Sequence, residues 1–554
     1  MLEANAQAET QNFFVEQSYD LYGRRSVEGM LIRTTNQLYF YVEKNWWESR
    51  SSQEQNSARI AFFDLGQEFQ SHIYPVLTGT FGLEPKPGID RDERITVLIH
   101  EMGEEAGGYF RTGDAYEKAI SPGSNEREML YLNSRHIAKS EAKSFLAHEF
   151  IHLITINQKD FLRRVTEEVW LNEARAEYAP TLLGYDDTYK GSNLERRVRD
   201  FLAKPSDSLT EWLNQKEDYG VVSLFTQYLV DHYGIKILVD SLQSSQAGIP
   251  SLNEALRNNG FQKDFSQIFA DWATAVLVND CNLGEQYCYR NLNLQGLRVN
   301  PISYFIPRTE TVLSTYHTAL LWNSNWHRLV GGAQNFTLEF DGADSAAYKV
   351  PYVLCEISNT CSVSYVSLDE KQKGAIVFPQ FDTRYSSLTI IPFAAGKTPG
   401  SNGSEQSFQF SWQVRVEKDS NPQGETELVS QLLARVAELQ EQVRRLQAQL
   451  AAFESQQGPL VGGAFSCAHF DINLSFGMRS YHVRCLQEFL VAQGAGVYPE
   501  GLVTGNFLFA TQQAVIRFQE KYSSEILAPF GLSSGTGYVG QMTRSKINQL
   551  ISVI

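Results

Sequence analysis

Hydrophobic residues follow a different rhythm in each part of the chain. Two short, nearly continuous apolar runs, Arg94-Ile95-Thr96-Val97-Leu98-Ile99-His100 and Glu128-Met129-Leu130-Tyr131-Leu132-Asn133, read as buried strands. Between them lie Gly107-Gly108-Tyr109-Phe110 and a polar loop through Thr112-Gly113-Asp114 and Ser121-Pro122-Gly123. An edge strand there could hold an extended peptide by backbone hydrogen bonds; an ordinary β connection is the alternative. The pattern then turns helical. Phe145, Leu146, Phe150, Ile151 and Leu153 predict a helix packed into a core, and Thr166 to Tyr178 a second helix closing near Pro180. Leu209–Leu213, Val221–His232, Ile237–Leu242, Ser251–Leu256 and Phe265–Val278 continue the helical rhythm. The fold class expected for residues 1–290 is α+β, with a helical second half.

From about Leu294 to Glu417 the reading changes to short strands divided by Gly, Pro, Asn and Asp. Phe336–Phe340, Tyr352–Cys355, Cys361–Val366, Gly374–Phe378, Ser387–Pro392 and Phe408–Val416 predict a β-sandwich-like domain over 291–420, acting as a spacer or a binding module. A heptad pattern follows over 421–457. Val429, Val436, Val443 and Leu450 share one seam position, and Leu432, Leu439, Leu446 and Phe453 the other. Val at a and Leu at d favour a parallel two-stranded coiled coil, hence a homodimer through residues 428–454; a single helix packed within its own chain is the alternative. Gly458-Pro459 ends it. A small helical module occupies 458–554, with Val483, Leu486, Leu490, Ala514, Val515 and Phe518 facing inward.

Length and charge narrow the partners. The chain has 554 residues, enough for three or four domains, and a formal net charge of −16, which disfavours nucleic acid. No stretch of eighteen apolar residues exists, so no membrane span is expected, and the N-terminus lacks a basic-then-apolar signal. Six cysteines form three close pairs, Cys281/Cys288, Cys355/Cys361 and Cys467/Cys485, as in disulfides of an exported protein whose signal peptide has been removed; unpaired core thiols are the alternative. A secreted or cell-envelope location follows from that pairing.

The candidate chemistry lies in Ala147-His148-Glu149-Phe150-Ile151-His152 and Leu171-Asn172-Glu173-Ala174-Arg175-Ala176-Glu177-Tyr178. Four residues apart on a helix, His148 and His152 share a face and can point at one ion. Glu149 points elsewhere, which suits a base acting on water. An oxygen from the second helix would leave one tetrahedral position open, as in a catalytic rather than a structural site. Two core histidines beside a solvated acidic helix is the bland alternative.

At these residues the chain resembles the thermolysin-like, or gluzincin, zinc metallopeptidases. The resemblance implies His148, His152 and Glu173 as Zn²⁺ ligands, Glu149 as general base, and Glu177 as the carboxylate that orients the first zinc histidine. Trp170-Leu171-Asn172-Glu173 and Tyr219-Gly220…Tyr233-Gly234 are most similar to the hyicolysin-type neutral metallopeptidases, over roughly residues 60–280. Thr155, where metzincins carry Gly, argues against that relative. A donor to the developing oxyanion is also expected. Tyr219 is the first choice and His232 the second, while Tyr178 belongs to the fold. The last module resembles the three-helix peptidoglycan-binding domain of bacterial wall hydrolases, through GMRSYHVRCLQEFL, Gly505-Asn506-Phe507 and TQQAVIRF. Leu508 replaces a common Gly, and the insert Glu525–Gly537 is long. Tyr481, Tyr498 and Arg479 are the candidate glycan contacts. Two functions remain: a zinc endopeptidase cutting peptide or protein substrates near the cell wall, or a non-catalytic wall-binding or adhesion protein with a relic peptidase fold.

Overall fold

The computed structural model describes residues 9–104, 106–333, 335–396, 407–416, 469–476, 478, 480–530, 532 and 534–551. Met1–Pro422 and Gln423–Ile554 are two compact units of a mixed α/β chain. The coiled-coil heptads, Cys467 and Arg479 lie outside the described residues.

The first unit begins with a six-stranded sheet. Its strands are β1 (Thr10–Phe14), β2 (Ser26–Thr34), β3 (Leu38–Glu43), β4 (Ile95–His100), β5 (Gly108–Tyr109) and β6 (Met129–Asn133), in the order β1-β2-β3-β4-β6-β5. β3, β4 and β6 run parallel, and every residue of β4 and β6 is buried, as expected where both faces of a sheet are covered. β5 is antiparallel to β6 and stands at the sheet edge.

Helices α1 (Lys44–Glu48), α2 (Ser52–Glu68) and α3 (Tyr74–Phe81) link β3 to β4. α2 starts at a capping box, in which the Ser51 hydroxyl accepts from the Glu54 N–H and the Glu54 carboxylate accepts from the Ser51 N–H. Its Phe62 stacks on Phe40 of the sheet. α4 (Ala142–Thr155) carries the first motif, and its Phe150 meets Phe69 edge-on at 5.0 Å between ring centres. A π-turn over Ile156–Phe161 leads to α5 (Val169–Leu182).

The helix closes near Pro180, two residues beyond it. Pro180 is buried in the last full turn, where its missing N–H removes a single bond, and its carbonyl accepts from the Tyr185 N–H. α6 (Asn193–Ala203), α7 (Lys216–Tyr233), α8 (Lys236–Gln243), α9 (Gly248–Asn258) and α10 (Phe265–Val278) complete the helical part.

The strand-rich part follows within the same unit. Its strands are β7 (Ile302–Ile306), β8 (Thr311–Ala319), β9 (His327–Gly331), β10 (Asn335–Gly342), β11 (Ala347–Lys349), β12 (Pro351–Glu356), β13 (Cys361–Tyr365), β14 (Lys373–Pro379), β15 (Tyr385–Ile390), β16 (Phe393–Ala395) and β17 (Phe408–Val416). They form a sheet of order β14-β10-β17-β8, a sheet of order β13-β12-β15-β9-β7, and the pair β11-β16. Alternating burial along β10 and β17 fits a sheet with one packed face. Rings from the two large sheets interlock, Tyr304 against Trp412 at 4.8 Å and His317 against His327 at 4.2 Å. Trp322 and Phe393 pack on Phe269 of α10, and the Trp326 indole N–H donates to the Ala273 carbonyl.

Disulfides join Cys281 to Cys288 and Cys355 to Cys361, the second bridging the β12–β13 hairpin. Among the described residues no helix is long and apolar enough to cross a membrane.

In the second unit, helices Tyr481–Ala492, Phe509–Lys521 and Gln541–Ile551 enclose a core that includes Val483, Leu486, Leu490, Val515 and Phe518. One polar device appears twice. The Gln487 amide donates to the Asn506 carbonyl and the Thr511 hydroxyl, and its oxygen accepts from the Thr504 and Gly505 N–H groups. Gln519 repeats this with the Tyr538 carbonyl, the Thr543 hydroxyl and the Thr536 and Gly537 N–H groups. Gly505 and Gly537 sit at φ +74° and +71°, a conformation that glycine adopts without strain. Tyr498, expected on the surface, is 3% exposed because its hydroxyl donates to the Leu502 carbonyl and its ring fills the core. Tyr481 is exposed.

Candidate metal centre

α4 and α5 bring His148, His152 and Glu173 together. His148 Nε2 lies 3.2 Å from Glu173 Oε2, and His152 Nε2 lies 3.6 Å from Glu173 Oε1. Ligands about 2.1 Å from a tetrahedral ion stand about 3.4 Å apart, so these separations fit a zinc ion held by the three side chains. Glu173 Oε2, His152 Nδ1 and Asn172 Oδ1 are buried without a hydrogen-bond partner among the described residues. Buried polar atoms are rarely left so, and an ion would satisfy the glutamate oxygen. His148, Glu149 and His152 offer ligand atoms within 4.8 Å of one another.

Glu177 is placed one turn beyond Glu173. Its Oε1 lies 3.3 Å from His148 Nδ1, on the ring edge opposite Glu173. Arg197 of α6 grips the same carboxylate through Nε and Nη2 at 2.7 and 2.6 Å, and Asn193 donates to it at 2.9 Å. Burial opposes its charge, but Arg197 and His148 prevail and hold the Glu177 carboxyl well below the usual carboxylate range. At His148, burial disfavours the charge, yet Glu173 and Glu177 raise its pKa to about 10.

Glu149 is 5% exposed, and burial, reinforced by Glu173 and Glu177 against His148, raises its pKa to about 8. The edge strand passes directly over it. A Cβ added at Gly108 would stand 3.2 Å from Glu149 Cγ and 2.6 Å from the Tyr131 carbonyl, and one at Gly107 would stand 2.4 Å from the Phe145 ring. Glycine at both positions lets β5 lie against α4.

Tyr219, at the start of α7, lines the same cavity as His148 and Glu149. Its hydroxyl donates to Asn214 Oδ1 at 2.9 Å, its ring meets Trp212 edge-on, and the Arg197 guanidinium lies 4.5 Å from its centre. Asn214 Nδ2 donates in turn to the Tyr19 hydroxyl at 3.0 Å. Burial chiefly, and then Glu173, raise the pKa of both tyrosines.

Tyr19 was not expected from the sequence. It arrives from the segment between β1 and β2, pinned by the bridge Asp20–Met102 and the Gly103 N–H to Tyr19 carbonyl bond, and it stacks on Tyr109 at 4.9 Å. No local signal marks it, since its place depends on pairings distant in sequence. His232, the second choice, is directed elsewhere: its Nε2 lies 2.9 Å from the Cys288 carbonyl. Tyr178 packs against the core. His148, Glu149, Tyr219, Tyr19 and Arg197 line one cavity of about 610 Å³.

No family model and no curated protein matches the chain. Solved structures give weak likenesses. The pre-peptidase C-terminal domain of a collagenase from Bacillus anthracis is 12% identical, with 21% of this chain and 97% of that one covered and a TM-score of 0.15. A periplasmic inhibitor of g-type lysozyme from Aeromonas hydrophila is 9% identical, with 21% and 100% covered and a TM-score of 0.15. A surface-associated copper-binding protein of Methylomicrobium album is 8% identical, with 21% and 98% covered and a TM-score of 0.15. Likenesses this weak say nothing about what the chain does.

Proposed function

We propose that the chain is a zinc-dependent endopeptidase of the gluzincin type. The observation that carries this reading is the convergence of His148 Nε2 and His152 Nε2 on the Glu173 carboxylate, beside a buried Glu149. Zn²⁺ held by His148, His152 and Glu173 would polarise a scissile carbonyl and acidify water. Glu149 would take the proton of the attacking water and return it to the leaving amine. Tyr219 and Tyr19, which line the same cavity, would supply hydroxyl donors to the developing oxyanion. Glu177 fixes the tautomer of His148, and the free edge of β5 would take the peptide backbone.

The two disulfides fit an exported protein, and the second unit would anchor it to wall glycan. Wild type and Glu149→Gln, each assayed for zinc content and for cleavage of a random peptide library, test the proposal. Both should bind one zinc, and Glu149→Gln should lose about 10²–10⁴-fold in turnover. Equal turnover, or none by wild type, would overturn it in favour of a binding protein with a relic site.

A further inference from the structure

Consecutive arginines on α6 face the cavity with different fates. Arg197 is fully engaged, by Glu177 and by Asp200 at 3.2 Å. Arg196 is not. Its Nη2 donates to Asn193 Oδ1 at 2.6 Å and its guanidinium lies 5.3 Å from the Phe145 ring centre. Its Nε is buried with no partner, and Arg196 makes no ion pair among the described residues.

The carboxylates that could answer it are taken. Arg197 holds Glu177 and Asp200, and Glu141 lies 2.8 Å from His136 Nδ1 and 3.7 Å from Lys139. Arg199 and Lys216 line the same cavity, so this wall carries surplus positive charge in a chain of net charge −16. A half-buried guanidinium whose Nε is cut off from water and from any counter-ion is costly, and a carboxylate in planar, paired contact is the group that best relieves it. Phe145, three residues before His148 and against Gly107, sets this guanidinium beside both the ligand helix and the edge strand.

We infer that Arg196 forms a subsite for an acidic side chain, so that the centre takes peptides bearing Asp or Glu close to the bond that is cut. The inference rests on the peptidase reading for the word "cut", but not for the binding. Full-length Glu149→Gln, loaded with zinc, is titrated into fluorescein-labelled alanine octapeptides carrying Glu or Gln at each position in turn. At one position Glu should bind about 10–100-fold more tightly than Gln, as expected for a charge-assisted hydrogen bond, and the preference should shrink with salt. Adding Arg196→Gln should bring the ratio close to one, whereas Arg196→Lys should keep part of it.

A parent with no Glu preference at any position, no peptide binding at all, or a preference that survives Arg196→Gln would overturn the subsite. Selective binding by peptides that wild type fails to hydrolyse would support the subsite and remove the peptidase reading. Hydrolysis by wild type of Gln and Glu peptides alike would do the reverse.

Discussion

Two buried polar arrangements in this molecule are built on opposite terms. In the second unit, Gln487 and Gln519 each satisfy four backbone or hydroxyl groups, with the same partners at the same offsets. In the candidate metal centre, two imidazoles face a carboxylate across gaps suited to an ion, and Glu173 Oε2 makes no hydrogen bond among the described residues. A closed network holds the chain together. An open one, with its atoms converging, leaves room for a group from outside the chain.

The largest loss should follow from removing the hydroxyls of Tyr219 and Tyr19, which line the cavity. Tyr219→Phe or Tyr19→Phe should lower kcat by about 10²–10³ with little change in KM, if either donates to the oxyanion. Because Asn214 links the two, the double variant should lose less than the sum of the singles in free-energy terms. Full activity in both single variants would mean that this wall only bounds the cavity.

Next in size is Glu177→Ala, which should cost about 10–100-fold in zinc affinity or activity. A competition titration against a metal indicator reads it directly. Unchanged affinity would place Glu177 with Arg197 as packing alone.

For the closed network, Gln487→Ala and Gln519→Ala should each destabilise the second unit by about 1–3 kcal/mol in denaturant unfolding, while peptide turnover stays at the wild-type level. A loss in turnover matching that in stability would show that the two regions are not independent.

A last test concerns a buried atom that converges on nothing. His327 Nε2 is buried between the sheets without a hydrogen-bond partner among the described residues, near His317 and Tyr304. Burial, and then His317, lower the pKa of His327 to about 3, against about 6.5 when unfolded. Between those values the unfolded chain binds the extra proton, so stability falls as pH drops from about 6.5 towards 3. His327→Leu should flatten that slope in thermal melts taken from pH 7 to 4. An unchanged slope would assign acid lability to other groups.

What the sequence disclosed of the centre is what lies on two helices. The i, i+4 spacing of His148 and His152, and of Glu173 and Glu177, shows in the chain because helix geometry alone sets it. Arg197, Asn214 and Tyr19 could not be found that way, since each reaches the centre by tertiary contact. The same divide runs through the fold. Apolar runs such as Ile95–His100 and Phe408–Val416 read as strands, and Leu38–Glu43 is as strong a run, whereas β1 and β2 carry weaker patterns completed by their neighbours. Pro180 marks the end of α5 to within two residues, because a proline in a last turn removes only one bond. Tyr498 misled because its polar tip finds a carbonyl inside the core.

The bare backbone of β5 above Glu149 has a practical consequence. Gly108→Ala adds one methyl group with the Tyr131 carbonyl on one side and the base on the other, and touches no ligand. The tighter clash is with the Tyr131 carbonyl of β6, so β5 must shift against its neighbour strand as well as against α4. If the chain is the proposed peptidase, recognition and chemistry would lose their common register while His148, His152 and Glu173 stay in place. Such a variant would then be a tool: a slow form of the protein in which an uncut ligand could be caught and identified.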